Sequence, residues 1–195
     1  MPLVPRRPLL PLALLLWACA HAPERRPPPE DPGRYFPLAV GNEWTYLDRS
    51  PQLPSGERRE RTVTILSRDG QGYFHDSDRG VLRAGHECIE DRARRILCSP
   101  FEVGRRWSSV VSVTSTEHYE IAGVGETVRV AAGTFEGCVR VRARTRAGPD
   151  ADNVLEISYA PGVGPVRIET FAVVQGKATP QVRAELARYR TEEKG

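Results

Sequence analysis

Two cysteines near the middle of the chain have the type and spacing for a covalent cross-link. The segment between them reads CIEDRARRILC, with charged residues between two short apolar ends. A hairpin whose turn centres on Ala93 pairs Ile89 with Leu97 and sets Cys88 opposite Cys98. If the two cysteines form a non-hydrogen-bonded pair, their Cα atoms come close enough for a disulfide. We therefore predict a disulfide between Cys88 and Cys98.

The same cysteines could also serve a metal site or a nucleophilic thiol. His86, Cys88, Cys98 and Cys138 are potential zinc ligands, and the first two share one face of a strand. The Cys-x-x-Cys spacing of structural zinc sites is missing, and oxidation competes for the thiols. Cys138 could act with His118, but nothing around Cys138 indicates a lowered thiol pKa. We expect no metal, cofactor or catalytic residue, and we expect Cys138 to be a buried free thiol.

A run of alternating arginines forms the strongest charged pattern. Because side chains alternate between the two faces of a strand, these guanidinium groups fall on one face. One interpretation is a solvated face partly neutralised by carboxylates across the strands, such as Glu126 or Glu156. The other is an anion-binding stripe for lipid headgroups or polysaccharide. The stripe consists of Arg140, Arg142, Arg144 and Arg146.

Acidic segments elsewhere are better explained as turns than as ligand sites. Residues 75–80 resemble a fragment of a calcium loop but lack the later ligands and the closing glutamate. Asp and Ser side chains commonly bond their own backbone at such corners. The chain also has no Gly-x-Ser-x-Gly, P-loop or zinc-protease motif. We therefore predict that the protein is not an enzyme.

The elements that carry these residues are predicted to be strands. Apolar and polar residues alternate with period two in several segments, and Gly, Pro and Asp turns separate them. The pattern predicts an all-β fold of roughly ten strands, with an antiparallel, strongly curved sheet as a partial barrel or sandwich. Pro180 to Arg190 alternates as well and is predicted to be the last strand. The other clear alternating segments are 62–67, 126–131, 138–143 and 154–159.

One motif occurs twice. Pro37 to Trp44 reads PLAVGNEW, and Pro100 to Trp107 reads PFEVGRRW. Each copy is predicted to make the same corner, in which Pro sets the entry, Gly allows a turn or bulge, and Trp starts a strand with its ring in the core. Two similar sheet halves would explain the repeat, and so would shared turn chemistry.

The N-terminus has the features of an export signal. Arg6 and Arg7 precede an apolar run from Leu9 to Trp17, and small residues follow. This run is too short for a transmembrane helix, which needs roughly 20 apolar residues. We predict that residues 1–18 are a signal peptide. Its removal takes away Arg6 and Arg7 and so lowers the formal net charge from +3 to +1. A nearly neutral charge and export from the cytoplasm both disfavour nucleic-acid binding.

The end of the signal resembles the processing site of bacterial lipoproteins. Leu16, Ala18 and the acceptor Cys19 carry the resemblance, which implies a lipidated N-terminal cysteine. Ordinary cleavage after Ala20 is the alternative. Buried acyl chain contributes about 0.8 kcal/mol per methylene, and stable anchoring needs more than one chain.

Domain boundaries follow from composition. Residues 19–34 are rich in proline and poor in apolar side chains, which predicts an extended, lipidated tether. Residues 35–190 suit one β domain with its own core, and residues 191–195 are predicted to be a disordered tail.

Three motifs in the mature chain resemble a set of uncharacterised bacterial exported β-domain lipoproteins. They are YFPLxxGxxWxY from Tyr35, VxAGTFxxC from Val130 and YAxGVGxV from Tyr159. The resemblance implies an exported β domain and no known activity.

The sequence predicts a non-enzymatic, membrane-anchored lipoprotein with a structural or binding role in the bacterial cell envelope. The alternative is a periplasmic carrier that holds a lipid or other apolar ligand on its curved sheet. The expected partners are the membrane, through the anchor, and an envelope protein or lipid ligand. The residue directly after Cys19 is Ala20 and not an acidic residue. We therefore expect the protein to be located at the outer membrane, facing the periplasm or the cell surface.

Overall fold

The computed structural model describes residues 31–51, 53–54 and 57–192. The predicted signal peptide, Cys19 and most of the predicted tether lie outside the described residues. The described part contains one short helix, α1 (Pro32–Tyr35), and twelve strands. The strands are β1 (Glu43–Arg49), β2 (Arg59–Arg68), β3 (Phe74–Asp76), β4 (Val81–Ala84), β5 (Cys88–Glu90), β6 (Arg95–Cys98), β7 (Arg106–Ser112), β8 (Ser115–Val130), β9 (Gly133–Gly148), β10 (Ala151–Ala160), β11 (Gly164–Val174) and β12 (Lys177–Arg190).

The strands form one antiparallel sheet in the order β6-β5-β4-β3-β2-β1-β12-β11-β10-β9-β8-β7. Each strand pairs with its neighbours in sequence, except that β1 pairs with β12, so β6 and β7 become the two edges. The sheet curls until these edges approach each other, which gives a nearly closed barrel. The predicted all-β, antiparallel, strongly curved fold is confirmed, as is a final strand over Pro180 to Arg190. The count exceeds ten because β3 to β6 have only three or four residues each, too few to show an alternating pattern.

Both copies of the repeated motif form the same corner, one before β1 and one before β7. Gly41 and Gly104 have φ values of 94° and 89°, a region that favours glycine. The N–H of Gly41 donates to the carbonyl of Ile65, and the N–H of Gly104 donates to the carbonyl of Ile121, each at 2.9 Å. The corners therefore open two runs of six strands, β1–β6 and β7–β12.

The two ends of the barrel differ. Because neighbouring strands alternate in direction, successive connections fall at opposite ends. One end, which we call the capped end, carries α1 and the connections 99–105 and 161–163. The other, which we call the open end, carries the connections 91–94, 113–114 and 149–150.

α1 is fixed onto the capped end. The N–H of Gly162 donates to the carbonyl of Arg34 at 2.7 Å, and Pro32 and Tyr35 are buried. Asp31 caps the helix by accepting a hydrogen bond from the N–H of Gly33. This helix begins inside the segment 19–34 that was predicted to be a tether. The packed structure therefore begins at least three residues before residue 35, the predicted start of the domain. Composition did not indicate this, because the contacts that hold the helix come from strands that are distant in sequence.

The barrel interior near the capped end is filled by aromatic and aliphatic side chains. Trp44 is 2% exposed and its Nε1 donates to the carbonyl of Val163 at 2.6 Å. The hydroxyl of Tyr46 donates to the carbonyl of Pro165 at 2.9 Å. These two bonds tie β1 to the start of β11, and burial of the aromatic rings stabilises this half of the barrel. No helix among residues 31–192, as far as they are described, is long and apolar enough to cross a membrane.

Candidate functional site

A cavity of about 310 Å³ opens into the barrel from the open end. Its wall is mainly apolar because Val141, Ala143, Leu155 and Ile157 face inward on β9 and β10, whereas Arg142, Arg144 and Glu156 alternate with them and face outward. In the register of these strands, Ala143 lies opposite Leu155 and Val141 opposite Ile157. Tyr159 lies deeper, where the packed core begins. The lining residues are Arg94, Ile96, Glu117, Tyr119, Val141, Ala143, Leu155, Ile157 and Tyr159.

Three polar side chains, Arg94, Glu117 and Tyr119, form a polar trio beside this apolar wall. Arg94 bridges Asp91 and Glu117, with both nitrogen-to-oxygen distances at 3.1 Å. The hydroxyl of Tyr119 donates to the second carboxylate oxygen of Glu117 at 2.5 Å. Burial, and then this hydrogen bond, raise the pKa of Tyr119 well above its usual range. The trio therefore keeps its phenol protonated and its charges paired, which suits orientation of a ligand better than proton transfer.

One wall of the cavity is formed where the two edge strands, β6 and β7, meet, and we call this boundary the seam. No backbone ladder joins β6 to β7 in the described structure, and side chains bridge the gap instead. The indole of Trp107 donates to the carbonyl of Arg95 at 2.7 Å, and the N–H of Arg95 donates to Ser109 Oγ at 3.0 Å. Trp107 also stacks on Tyr119, with ring centroids 5.4 Å apart and planes 7° apart. These few bonds hold the seam.

A second cavity of about 240 Å³ shares part of this lining. It contacts Glu117, Ala143 and Leu155, and it extends towards β11 and β12 through Thr170 and Gln181. The two spaces therefore adjoin along the inner face of the sheet. Ala143 borders both, so its small side chain controls how much room each has.

The disulfide predicted from the sequence is present in the structure. Cys88 lies opposite Cys98 in the β5–β6 register, their Cα atoms are 4.2 Å apart, and their sulfurs are bonded. The bond fastens β5 to the edge strand that lines the cavity. Since both sulfurs are used, neither is available as a metal ligand with His86. Within the described ranges, no group of three or more His, Cys, Asp or Glu residues is placed to hold a metal ion.

Cys138 is a free thiol, fully buried on β9. Its Sγ donates to the carbonyl of Phe135 at 3.5 Å. Burial raises the pKa of Cys138 from 9.0 to about 11. A thiol held neutral in this way is a poor nucleophile, which disfavours a Cys138–His118 site. His118 instead contacts Ser108 across the β7–β8 pair, with Nδ1 2.9 Å from Oγ.

We expect Cys138 to react with a thiol reagent such as DTNB only when the domain opens. Because the folded-state pKa is raised, its contribution to stability is complete below about pH 9 and is lost as pH rises towards 11. Labelling at pH 8 should therefore follow the unfolding rate, and Cys138→Ala should remove the labelled thiol together with part of the stability loss above pH 9. Fast labelling of Cys138 in the folded chain at pH 8 would contradict this.

Each arginine of the predicted stripe faces outward and has a carboxylate partner. Arg140 Nη2 lies 2.9 Å from Glu126, and Arg140 Nη1 lies 3.1 Å from Glu156. Arg142 Nε lies 2.6 Å from Glu156, and Asp152 pairs with Arg144 and Arg146 at 3.5 and 3.3 Å. Such pairing across neighbouring strands favours a partly neutralised face over an anion-binding stripe. Both carboxylates named from the sequence, Glu126 and Glu156, take part.

The cavity residues were not identified from the sequence. Arg94 occupies a hairpin turn and Glu117 lies in a strand of mixed polarity, so nothing in the local pattern separates them from surface charges. For Glu117 the only available signal was its position among the residues of β8 that face inward. That signal becomes visible only when the register is known.

Comparison with known proteins finds little. No family model and no curated protein matches the chain. A Parabacteroides distasonis protein described as a lipoprotein is similar over 80% of this chain and 98% of its own, with 13% identity and a TM-score of 0.44. A Bacteroides fragilis protein described as exported, with a YmcC-like fold, is similar over 78% and 97%, with 14% identity and a TM-score of 0.46. Similarity at this level carries no argument about function.

Proposed function

We propose that this protein is a non-enzymatic, lipid-anchored protein of the bacterial cell envelope that binds a small apolar ligand inside the open end of its barrel. The observation that carries the binding role is the cavity of about 310 Å³, whose wall is mostly aliphatic and aromatic. Ligand pockets typically span about 300 to 1,000 Å³ and combine apolar walls with a few placed polar groups. The trio of Arg94, Glu117 and Tyr119 supplies the polar groups.

The size of the cavity limits the ligand. Because its volume lies at the lower end of the usual range, it suits a compact ring or a short chain and not a diacyl lipid. The adjoining space of about 240 Å³ gives a longer ligand somewhere to extend. A purely structural role would not require an unfilled interior, since protein cores are normally close-packed.

The anchor in this proposal is supported by the sequence alone. The export signal and the lipoprotein-like site at Cys19 support a location in the envelope. A position at the outer membrane, facing the periplasm or the cell surface, is the finer part of the proposal. The non-enzymatic part is supported by the mutual pairing of the charged groups beside the cavity.

Filling the cavity should abolish ligand binding. We expect Ala143→Phe to lower the occupancy of a small neutral probe, 1-aminoanthracene, at least about tenfold, because the added ring occupies the space that the probe needs. The matched control is Ala178→Phe, on an exposed position of β12. Native mass spectrometry of the full chain, released from detergent in the gas phase, measures the probe adduct and any ligand that co-purifies.

The two variants decide the binding role. An adduct on the wild type and on Ala178→Phe, but not on Ala143→Phe, supports the cavity as the site. A wild type that carries neither co-purified ligand nor probe, or equal adducts on both variants, contradicts it.

A further inference from the structure

A groove of about 710 Å³ lies on the capped end, away from the proposed ligand cavity. It is bounded by α1, the first repeated corner and the β2–β3 turn. Leu38, Val40 and Phe74 give it apolar surface, and its charged lining is Arg34, Arg68, Arg83 and Glu192. Arginine thus outnumbers carboxylate three to one in this lining.

Two of these arginines are available to a ligand. Arg83 is engaged, since its Nη2 lies 2.5 Å from Glu90. Arg34 and Arg68 form no ion pair with any described residue, and both are exposed. The Arg68 guanidinium lies 5.2 Å from the ring centroid of Phe74, which holds it over the groove. The groove therefore combines free guanidinium groups with apolar surface, unlike the outward-facing arginine stripe.

Exposed valines flank this site. Val40 and Val103 occupy the same position in the two repeated corners, and they are 49% and 68% exposed. α1 lies between the corners, because Tyr35 contacts Phe101 at 4.8 Å and Phe36 contacts Trp44 at 5.7 Å between ring centroids. The repeat thus places two apolar side chains at the same end of the barrel as the groove.

The chain also enters the domain at this end. Asp31, the first described residue, precedes α1, and the predicted acyl acceptor Cys19 lies twelve residues earlier. A fully extended chain of that length reaches at most about 40 Å, so an anchored domain stays near the bilayer.

We propose that the groove binds the phosphate headgroup of an acidic phospholipid, so that the capped end lies on the membrane surface with Val40 and Val103 at the interface. Guanidinium groups bind phosphate through paired, charge-assisted hydrogen bonds. Apolar side chains beside them insert into the headgroup region. This inference rests on the anchoring in the proposed function. It leaves the open end, and hence the ligand cavity, facing away from the membrane.

The test uses the full chain, extracted from membranes and reconstituted into phosphatidylcholine vesicles with or without phosphatidylglycerol. A fluorophore on Gln71→Cys reports the groove, and the same fluorophore on Thr114→Cys reports the open end. The native cysteines do not compete for the label, because the thiol of Cys19 carries the proposed acyl anchor, Cys88 and Cys98 are bonded to each other, and Cys138 is buried. Nitroxide-labelled lipids then quench any fluorophore that lies at the bilayer surface.

We expect quenching of the Gln71→Cys fluorophore, but not of the Thr114→Cys fluorophore, and only with the acidic lipid. Arg34→Gln and Arg68→Gln should each lower the ratio of docked to undocked domain about fivefold. Glu192→Gln should raise this ratio, and Arg49→Gln, a matched charge removal at the open-end terminus of β1, should leave it unchanged. Val40→Ser with Val103→Ser should lower it, whereas Val110→Ser with Val113→Ser should not.

Equal quenching at both positions, or quenching that survives Arg34→Gln with Arg68→Gln, overturns the proposal. If free glycerol phosphate removes the quenching, the groove binds soluble phosphate esters and the assignment to a membrane surface is wrong. Flotation with the vesicles at about 0.5 M salt, where surface charge is screened, measures the acyl anchor separately. A chain that fails to float there contradicts the anchor, and its flotation with acidic vesicles at low salt still measures the groove.

Discussion

Trp44→Ala is expected to lower the free energy of unfolding by about 3 to 5 kcal/mol, the usual cost of removing a large buried aromatic side chain. The ring is 2% exposed and its Nε1–H bonds the carbonyl of Val163. It also lies against Gly164, where an added Cβ would stand 3.0 Å from Nε1. The substitution therefore leaves a cavity and an unpaired buried carbonyl at the joint between the two six-strand runs. Urea unfolding of the full chain, followed by circular dichroism, measures the loss.

Trp107→Ala is the matched control, because Trp107 has the same position in the second copy of the motif. Its ring is only half-buried, and its indole bond to Arg95 lies at the exposed seam. We expect a cost of about 1 to 2 kcal/mol, from the lost hydrogen bond and the lost stacking on Tyr119. Equal costs for the two tryptophans would show that the joint between the runs is no more important than the seam.

Removing the disulfide through Cys88→Ser with Cys98→Ser is expected to cost about 2 to 3 kcal/mol, as the loop between the cysteines is short. The strands that the bond secures, β3 to β6, have only three or four residues each and end at an unpaired edge. Their own backbone pairing is therefore weak. Because the β5–β6 turn contributes Arg94 and β6 contributes Ile96 to the cavity lining, we also expect the probe adduct to decrease.

Reduction of the wild type with dithiothreitol is the control for this variant, since it breaks the same bond without changing the sequence. Both treatments should shift the urea midpoint by the same amount. Cys138→Ala should leave the probe adduct intact, because Cys138 does not line the cavity. A double serine variant that unfolds at the wild-type urea concentration would show that β5 and β6 hold together without the bond.

The strands with long alternating patterns were predictable because burial on one face imposes period two on the sequence. Three of the four alternating segments fall within β2, β9 and β10, and the fourth, 126–131, extends one residue beyond the end of β8. Of the short strands β3 to β6, only β5 and β6 were recognised, through the hairpin between the cysteines. Each of these strands has too few residues for a pattern, and its pairing partners are chosen by the rest of the sheet.

The repeated corner was also predictable only in part. Pro, Gly and Trp at matching spacing predicted a common turn, and both glycines adopt the expected positive φ. The sequence could not show that Trp44 would be enclosed whereas Trp107 would lie at a seam. That difference arises because β1 meets β12 along a full ladder and β7 meets β6 only through side chains.

The sequence by itself determined the class of fold and the cysteine pair, because each depends on residues that are close in sequence or directly opposite in a hairpin. It also placed four arginines on one strand face, but it left open whether carboxylates pair with them. Only the tertiary structure decided where an interior space remains and which arginines are free. A cavity remains where the side chains of distant strands do not fill the interior. An arginine lacks an ion-pair partner only where no neighbouring strand places a carboxylate beside it. Both depend on register and closure, to which every strand of the barrel contributes.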